Sequence, residues 1–382
     1  MYRVGFGVTV LERALRAGGL DGIGRYTSEL GREFSKLDHK LSVYPFTVGT
    51  NKPSLDSLDS NVFRFPNFKF SVFSSTFTWL PFVGGTKFSR PLDIVHATDH
   101  YIPNVGKTPL VATLMDAIPL TNPEWTTLGY RTIKNYFWKH TTKWADRIIT
   151  ISEFSKIQIS ENFNIPKDKI TVIPLGVDKI WFQEFPESML ANITAKYQLK
   201  KNFLLFVGTF QPRKNINRLI EAYLSLPDAI KKNTPLVLVG REGWGSNDIV
   251  HKLSSNHFGN SIRWLKHVPN NDLLPLMKSA RALVYPTLYE GFGLPVLEAF
   301  ASKVPVLTSN TTSIPEVAGD AALLVDPTDS SSIALGIQKI IEHPTLSSDL
   351  IQKGYLRALN FSWERTAMKT IDVYGQVLRE RL

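Results

Sequence analysis

The chain contains no cysteine, which excludes disulfides, thiolate nucleophiles and cysteine-bound metals and is compatible with a reducing compartment. Nor is there an apolar run of the ~20 residues needed to span a bilayer. The longest aromatic stretch, 70–86, is broken by serines, threonines and glycines. The opening residues, MYRVGFGVTV, lack a cleavage signature and read as a first strand, so a cytoplasmic location is expected. There is no Gly-x-Gly-x-x-Gly fingerprint, which argues against a nicotinamide enzyme. Asp-x-Asp and clustered Asp and His are also missing, so no metal and no cofactor are expected.

An apolar fraction of 43% with 20% charged residues over 382 positions is that of a globular protein of two domains. Lysine and arginine exceed aspartate and glutamate by 44 − 34 = +10, which favours anionic partners such as nucleotide phosphates or anionic lipids. Nucleic acid is not expected, because no nucleic-acid motif accompanies the charge. Basic and aromatic residues concentrate in 63–88 and 130–144, where Arg131, Lys134, Lys139, His140 and Lys143 interleave with Tyr136, Phe137, Trp138 and Trp144. A solvated face and a membrane-surface or lipid-acceptor patch both fit this composition.

Short apolar runs alternate with helical patterns, the rhythm of parallel sheets with crossover helices, so the fold class is α/β with two doubly wound Rossmann-like domains. Strands are expected at 4–10, 41–46, 94–97, 110–115, 147–151 and 170–173, then at 203–207, 236–239, 262–265, 282–285, 304–307 and 322–325. Helices open near Gly24 and at Ser152, whose hydroxyl can cap the following run. The boundaries follow: a first domain at 1–176, a linker at 177–200 and a second domain at 201–382, whose last helix packs back on the first. Ligands of open α/β sheets bind beyond the strand carboxyl ends, so a site is expected in a cleft between the domains.

Two segments carry the chemistry. In Tyr285-Pro-Thr-Leu-Tyr-Glu290-Gly291-Phe292-Gly293-Leu294-Pro-Val-Leu-Glu298, a strand gives way to a glycine turn and a helix start suited to a diphosphate. Two carboxylates beside a bound anion need hydroxyl-rich partners, such as sugars. In Val207-Gly208-Thr-Phe-Gln-Pro-Arg213-Lys214, a cationic pair at a turn can neutralise a diphosphate, Arg as a bidentate fork and Lys as a compact charge.

The glutamate pair separated by seven residues, with Gly-Phe-Gly after the first, resembles the signature of glycosyltransferase family 4. The resemblance covers essentially the whole chain, is sharper in its second half, and is similar to mannosyltransferases of bacterial polysaccharide assembly. It implies a GT-B fold and a retaining, metal-independent hexosyltransferase with GDP-mannose as donor and a saccharide or lipid-linked glycan as acceptor. In it Glu290, Lys214 and Arg213 are catalytic, while Glu298, Gly291, Phe292, Gly293, Leu294 and Gly208 hold the donor. The loop of Gly22 and Gly24, with Asp116, resembles the acceptor side; His100 or His96 could stand in for the family's histidine, which Met115 replaces. Thr209 stands where some relatives have arginine, and Lys303 where glycine is common. A nucleotide-sugar epimerase or phosphorylase and a catalytically silent sugar-binding or scaffold subunit remain alternatives.

Overall fold

Four-residue runs such as Leu236–Val239 and Ala282–Tyr285 are buried at every position, as strands covered on both faces by helices must be. The computed structural model describes residues 1–16, 19–49, 62–65, 68–125, 131–255 and 257–381. They divide into two units, one of Met1–Pro123, Leu128–Gly176 and Trp363–Leu382, the other of Glu124–Thr127 and Val177–Ser362.

The first unit holds β1 (Tyr2–Gly7), β2 (Leu41–Val48), β3 (Phe63–Phe65), β4 (Ile94–Ala97), β5 (Leu110–Thr113), β6 (Arg147–Thr150) and β7 (Ile170–Val172). They form one parallel sheet in the order β3-β2-β1-β4-β5-β6-β7. The second unit holds β8 (Leu204–Val207), β9 (Leu236–Val239), β10 (Ile262–Leu265), β11 (Ala282–Tyr285), β12 (Val306–Ser309) and β13 (Leu323–Val325). Their order is β10-β9-β8-β11-β12-β13, again parallel. The winding reverses between β1 and β4 in one sheet and between β8 and β11 in the other, which makes the loops after those strands the places for a ligand.

Two expectations need correction. The first strand stops at Gly7, because Thr9–Arg16 is a helix that buries Val10, Leu11 and Ala14; the apolar run at 4–10 joins two elements. The edge strand Phe63–Phe65 was not expected, since three residues carry no readable period. The expected linker, 177–200, carries helical structure and no strand. It holds a turn of 3-10 helix, Lys179–Phe182, and the helix Glu187–Lys196, and Lys196 and Tyr197 both bond Asp272 at 2.6 Å.

Trp363–Glu380 is an 18-residue helix within the first unit. Its Tyr374 hydroxyl lies 2.7 Å from His96 Nδ1, and Arg147 Nη2 is 2.6 Å from Glu380. Ser152 caps the helix Glu153–Phe163 by accepting from Ser155 N.

Candidate functional site

β8 delivers the chain to Gly208, after which Pro212–Lys214 forms a single 3-10 turn. Asn215 then takes a left-handed φ of 60° and opens the helix Ile216–Leu224. Its amide donates to the carbonyls of Pro286 at 2.8 Å and Pro327 at 2.6 Å, which staples this loop to those after β11 and β13. A second staple joins Leu288 N to Arg213 O at 2.8 Å. Since β8 and β11 are sheet neighbours, two motifs distant in sequence meet at the switch point.

The meeting is ionic. Lys214 Nζ donates to Glu290 Oε1 at 2.6 Å and also to the Tyr285 hydroxyl, which donates in turn to Glu290 Oε1 at 2.9 Å. Arg213 Nη1 reaches Glu290 Oε2 at 3.3 Å. Lys214 and Glu290 are only 8% and 7% exposed, so both charges depend on one another and on these hydrogen bonds. Burial draws the Lys214 ammonium down to about 8, against the attraction of Glu290. Burial pushes the Glu290 carboxyl up; the charges of Lys214 and Arg213 and the bonds from Lys214 and Tyr285 outweigh it and leave the group below its ordinary value. At neutral pH the cluster therefore carries two cations and one anion, an excess of positive charge suited to an anionic ligand.

The loop after β12 supports Glu290 from behind. Ser313 Oγ donates to Glu290 O at 2.8 Å, and Glu290 N donates to Thr312 Oγ1 at 3.3 Å. Thr312 sits at φ 60°, which is costly for a β-branched residue and typical of a functional loop held by its surroundings. Gly293, at φ 105°, caps the helix Leu294–Ala301, and a Cβ there would lie 2.7 Å from Ile314 Cδ1. Glu298 is buried one turn inside that helix, and its charge helps to hold the Tyr285 hydroxyl protonated, behind burial and Glu290. Phe292 is buried edge-on to Phe361, so its ring supports the Gly291–Leu294 turn.

The first-unit candidates are less concentrated. Gly22 begins the helix Gly22–Ser35, and Gly24 N donates to the capping Asp21 at 2.7 Å. Asp116 Oδ1 accepts from Ile118 N at 3.0 Å, shaping the turn after β5. His100 lies beside Tyr101 and Trp138, and burial lowers its pKa against the pull of Asp99. His96 is a core residue: fully buried, bonded to Tyr374 and to Thr113 Oγ1 at 2.8 Å, and lowered by burial to about 3. It is neutral at physiological pH and has no free ring nitrogen for a substrate. Tyr130 lies outside the described residues.

Sequence reasoning gave no role to Tyr285, Asn215, Thr312 or Ser313, and their types carry no signal without the fold. A glycine signal was readable in the 240–245 loop. A Cβ on Gly240 would fall 2.0 Å from Gly208 O, and one on Gly243 2.2 Å from Phe210 O, so these glycines let that loop close on the turn after β8. Trp125, in the short segment that clusters with the second unit, stands 6.1 Å edge-on from Tyr289.

Comparison with known proteins gives this geometry a context. Residues 192–357 match the family model described as glycosyl transferases group 1, and residues 20–179 the one described as glycosyltransferase family 4. The O-antigen chain mannosyltransferase B of Escherichia coli is 38% identical over 231 residues, 60% of this chain and 60% of that protein. The serotype-specific mannosyltransferase WbdA of the same organism is 28% identical over 269 residues, 69% of this chain and 33% of its own length. Among solved structures, HepE from Anabaena in complex with UDP and glucose superposes with a TM-score of 0.75 at 16% identity, covering 98% of this chain and all of HepE. Sucrose-phosphate synthase from Thermosynechococcus elongatus gives 0.75 at 19% identity, with complete coverage of both chains. At these identities the likeness concerns the fold, which is GT-B.

Proposed function

Since the chain belongs to the group 1 and family 4 glycosyltransferases, we propose that it transfers mannose from GDP-mannose, with retention of configuration, to a saccharide or lipid-linked glycan in polysaccharide assembly. The observation that carries this reading is the buried Arg213–Lys214–Tyr285–Glu290 cluster at the switch point of the second unit. The mannose and the glycan acceptor are inferred from the names of the relatives, O-antigen and serotype mannosyltransferases.

In the reaction the bond between the anomeric carbon and the phosphate oxygen breaks, and the acceptor oxygen bonds to that carbon on the same face. Arg213 and Lys214 stabilise the negative charge arriving on the diphosphate, preorganised charges in a buried setting. The departing phosphate oxygen takes the acceptor proton, so no protein base is required. Glu290 orients the sugar and holds the two cations apart from bulk water. Glu298 binds the ribose hydroxyls, and the Gly291–Leu294 turn with Gly208 lines the donor. On the acceptor side the loop of Gly22 and Gly24, Asp116 and His100 make the contacts. Two side-chain cations do the work a metal does elsewhere, and turnover is metal-independent. The enzyme works on the cytoplasmic face of the plasma membrane, held there peripherally.

The test is release of GDP and of extended glycan by purified protein, with and without a chelator, against UDP- and ADP-sugars as alternatives. A donor present at 100 times its Kd stabilises the protein by about 2.7 kcal/mol, so a thermal shift ranks the nucleotides independently of any acceptor. Glu298→Ala raises the donor KM and Lys214→Ala lowers kcat. Full activity in both variants, or turnover abolished by the chelator and restored by a divalent ion, would refute the corresponding part of the reading.

A further inference from the structure

The helix Phe68–Thr78 buries Val72 in the core but keeps an aromatic face outward. It buries Ser71, Ser75 and Thr76, at 3%, 0% and 6% exposure, and leaves Phe70, Phe73 and Phe77 at 62%, 55% and 64%. Positions 70, 73 and 77 share one stripe of a helix, so the outward face is a continuous row of phenylalanines. The apolar surface continues beyond its end through Trp79, Leu80 and Val83, all more than half exposed. Beside it, the helix Arg131–Thr141 adds exposed Ile133 and Tyr136, with Phe137 6.2 Å from Phe73. A soluble surface rarely shows so many large apolar side chains together unless something covers them.

The charge around this patch says what covers it. Residues 60–92 and 125–145 contain no aspartate or glutamate; Arg64 is taken up by Glu12 at 3.1 Å, which leaves Lys69, Lys87 and Arg90 in one stretch and Arg131, Lys134, Lys139 and Lys143 in the other. Aromatic rings within a field of one sign suit the boundary of a bilayer, where rings sit at headgroup depth and cations meet lipid phosphates. A pocket of about 660 Å³ opens beside the turn that follows the helix, lined by Trp79, Pro81, Arg90, Lys107 and Trp144. Among the described residues no helix is long and apolar enough to cross a membrane, so the contact is with one leaflet.

We propose that the Phe70–Phe73–Phe77 face seats in the interface of an anionic membrane, with Arg90 and Lys107 taking a lipid phosphate in the adjoining pocket. The inference deepens the lipid-linked acceptor of the proposed function and rests on that reading for its purpose, though its test needs no glycan. The lysines of 134–143 lie on the rim and contribute screened attraction, while the phenylalanine stripe anchors.

Full-length protein is sedimented with vesicles of phosphatidylcholine alone and of phosphatidylcholine with phosphatidylglycerol, at low and high salt. Binding is expected only to the anionic vesicles and to weaken with salt. Phe73→Ser/Phe77→Ser lowers partitioning on the order of tenfold, from the apolar area of two rings, and Arg90→Glu/Lys107→Glu lowers it at low salt. Both double variants keep the wild-type melting temperature and wild-type turnover on a soluble saccharide acceptor, so loss of vesicle binding is separate from loss of transferase activity. Equal binding to both vesicle types would overturn the proposal, as would no loss in the phenylalanine variant. So would a wild-type dimer in velocity sedimentation that Phe73→Ser/Phe77→Ser converts to monomer, because the face would then belong to a second copy of the chain.

Discussion

Lys214 Nζ and Glu290 Oε1 stand 2.6 Å apart although 76 positions separate them in the chain, and both side chains are buried. Removing one member of such a pair strands the other, at about 3–5 kcal/mol, whereas apolar replacement of both is often nearly neutral. Glu290→Gln is therefore expected to destabilise the second unit strongly, and Lys214→Met somewhat less, because Arg213 still faces the carboxylate. The double variant Lys214→Met/Glu290→Leu should be more stable than Glu290→Gln and yet inactive. Urea unfolding of the three checks this; a double variant destabilised by as much as the two singles together would show that the pair is not coupled.

The pH dependence of turnover follows from Lys214, drawn down to about 8 by burial. Stabilising a departing diphosphate needs the charged form, so kcat/KM, which reports the free protein, falls as pH rises through about 8. Stability moves the other way. Between about 8 and the ordinary lysine range the native state binds fewer protons than the unfolded chain at this residue, so its contribution to stability rises with pH. Lys214→Arg cannot lose its proton in this range and should lack the alkaline limb. A wild-type limb at the same pH in that variant would assign it to another group.

Tyr285 is expected to act as a positioning residue through its hydroxyl, which accepts from Lys214 and donates to Glu290. Tyr285→Phe removes one buried hydroxyl, costs about 1 kcal/mol of stability, and lowers kcat more than it raises KM. With one acceptor fewer for the ammonium, the alkaline limb should shift to lower pH. An unmoved limb with unchanged kcat would leave the hydroxyl a packing feature.

Two left-handed positions should respond oppositely to substitution. Gly293→Ala forces a Cβ into φ 105° and against Ile314, at about 1–3 kcal/mol, and weakens donor binding by shifting the turn before Glu298. Lys303, at φ 58°, tolerates Gly: the relief of backbone strain offsets the loss of its exposed ion pair with Glu184, and the net change stays within about 1 kcal/mol. Denaturation midpoints and donor Kd values measure both.

Tyr374→Phe should destabilise the first unit by about 1–2 kcal/mol, since His96 Nδ1 loses its partner in a fully buried site. Its ring packing against Phe34 survives. A variant of wild-type stability would mean that the hydroxyl contact is dispensable to the packing of the carboxyl-terminal helix.

Much of this protein is local and so was legible in its residues. The apolar runs of β4, β9 and β11 match the expected strands at both ends, because full burial leaves a continuous signature that needs no neighbour. Ser152 as a cap and the glycine turn before Glu298 were legible for the same reason. Tertiary structure alone decided which groups converge. Strand order sets β8 beside β11 and thereby Lys214 against Glu290 and Tyr285. It puts His96 in the core under Tyr374. It also turns Phe70, Phe73 and Phe77 outward and Ser71 and Ser75 inward. Periodicity tells which residues of an element share a face, and hydrophobicity names the face that ordinarily goes inside. Where a fold exposes the apolar face, or joins charges from distant loops, only the packing of one element against another carries the information.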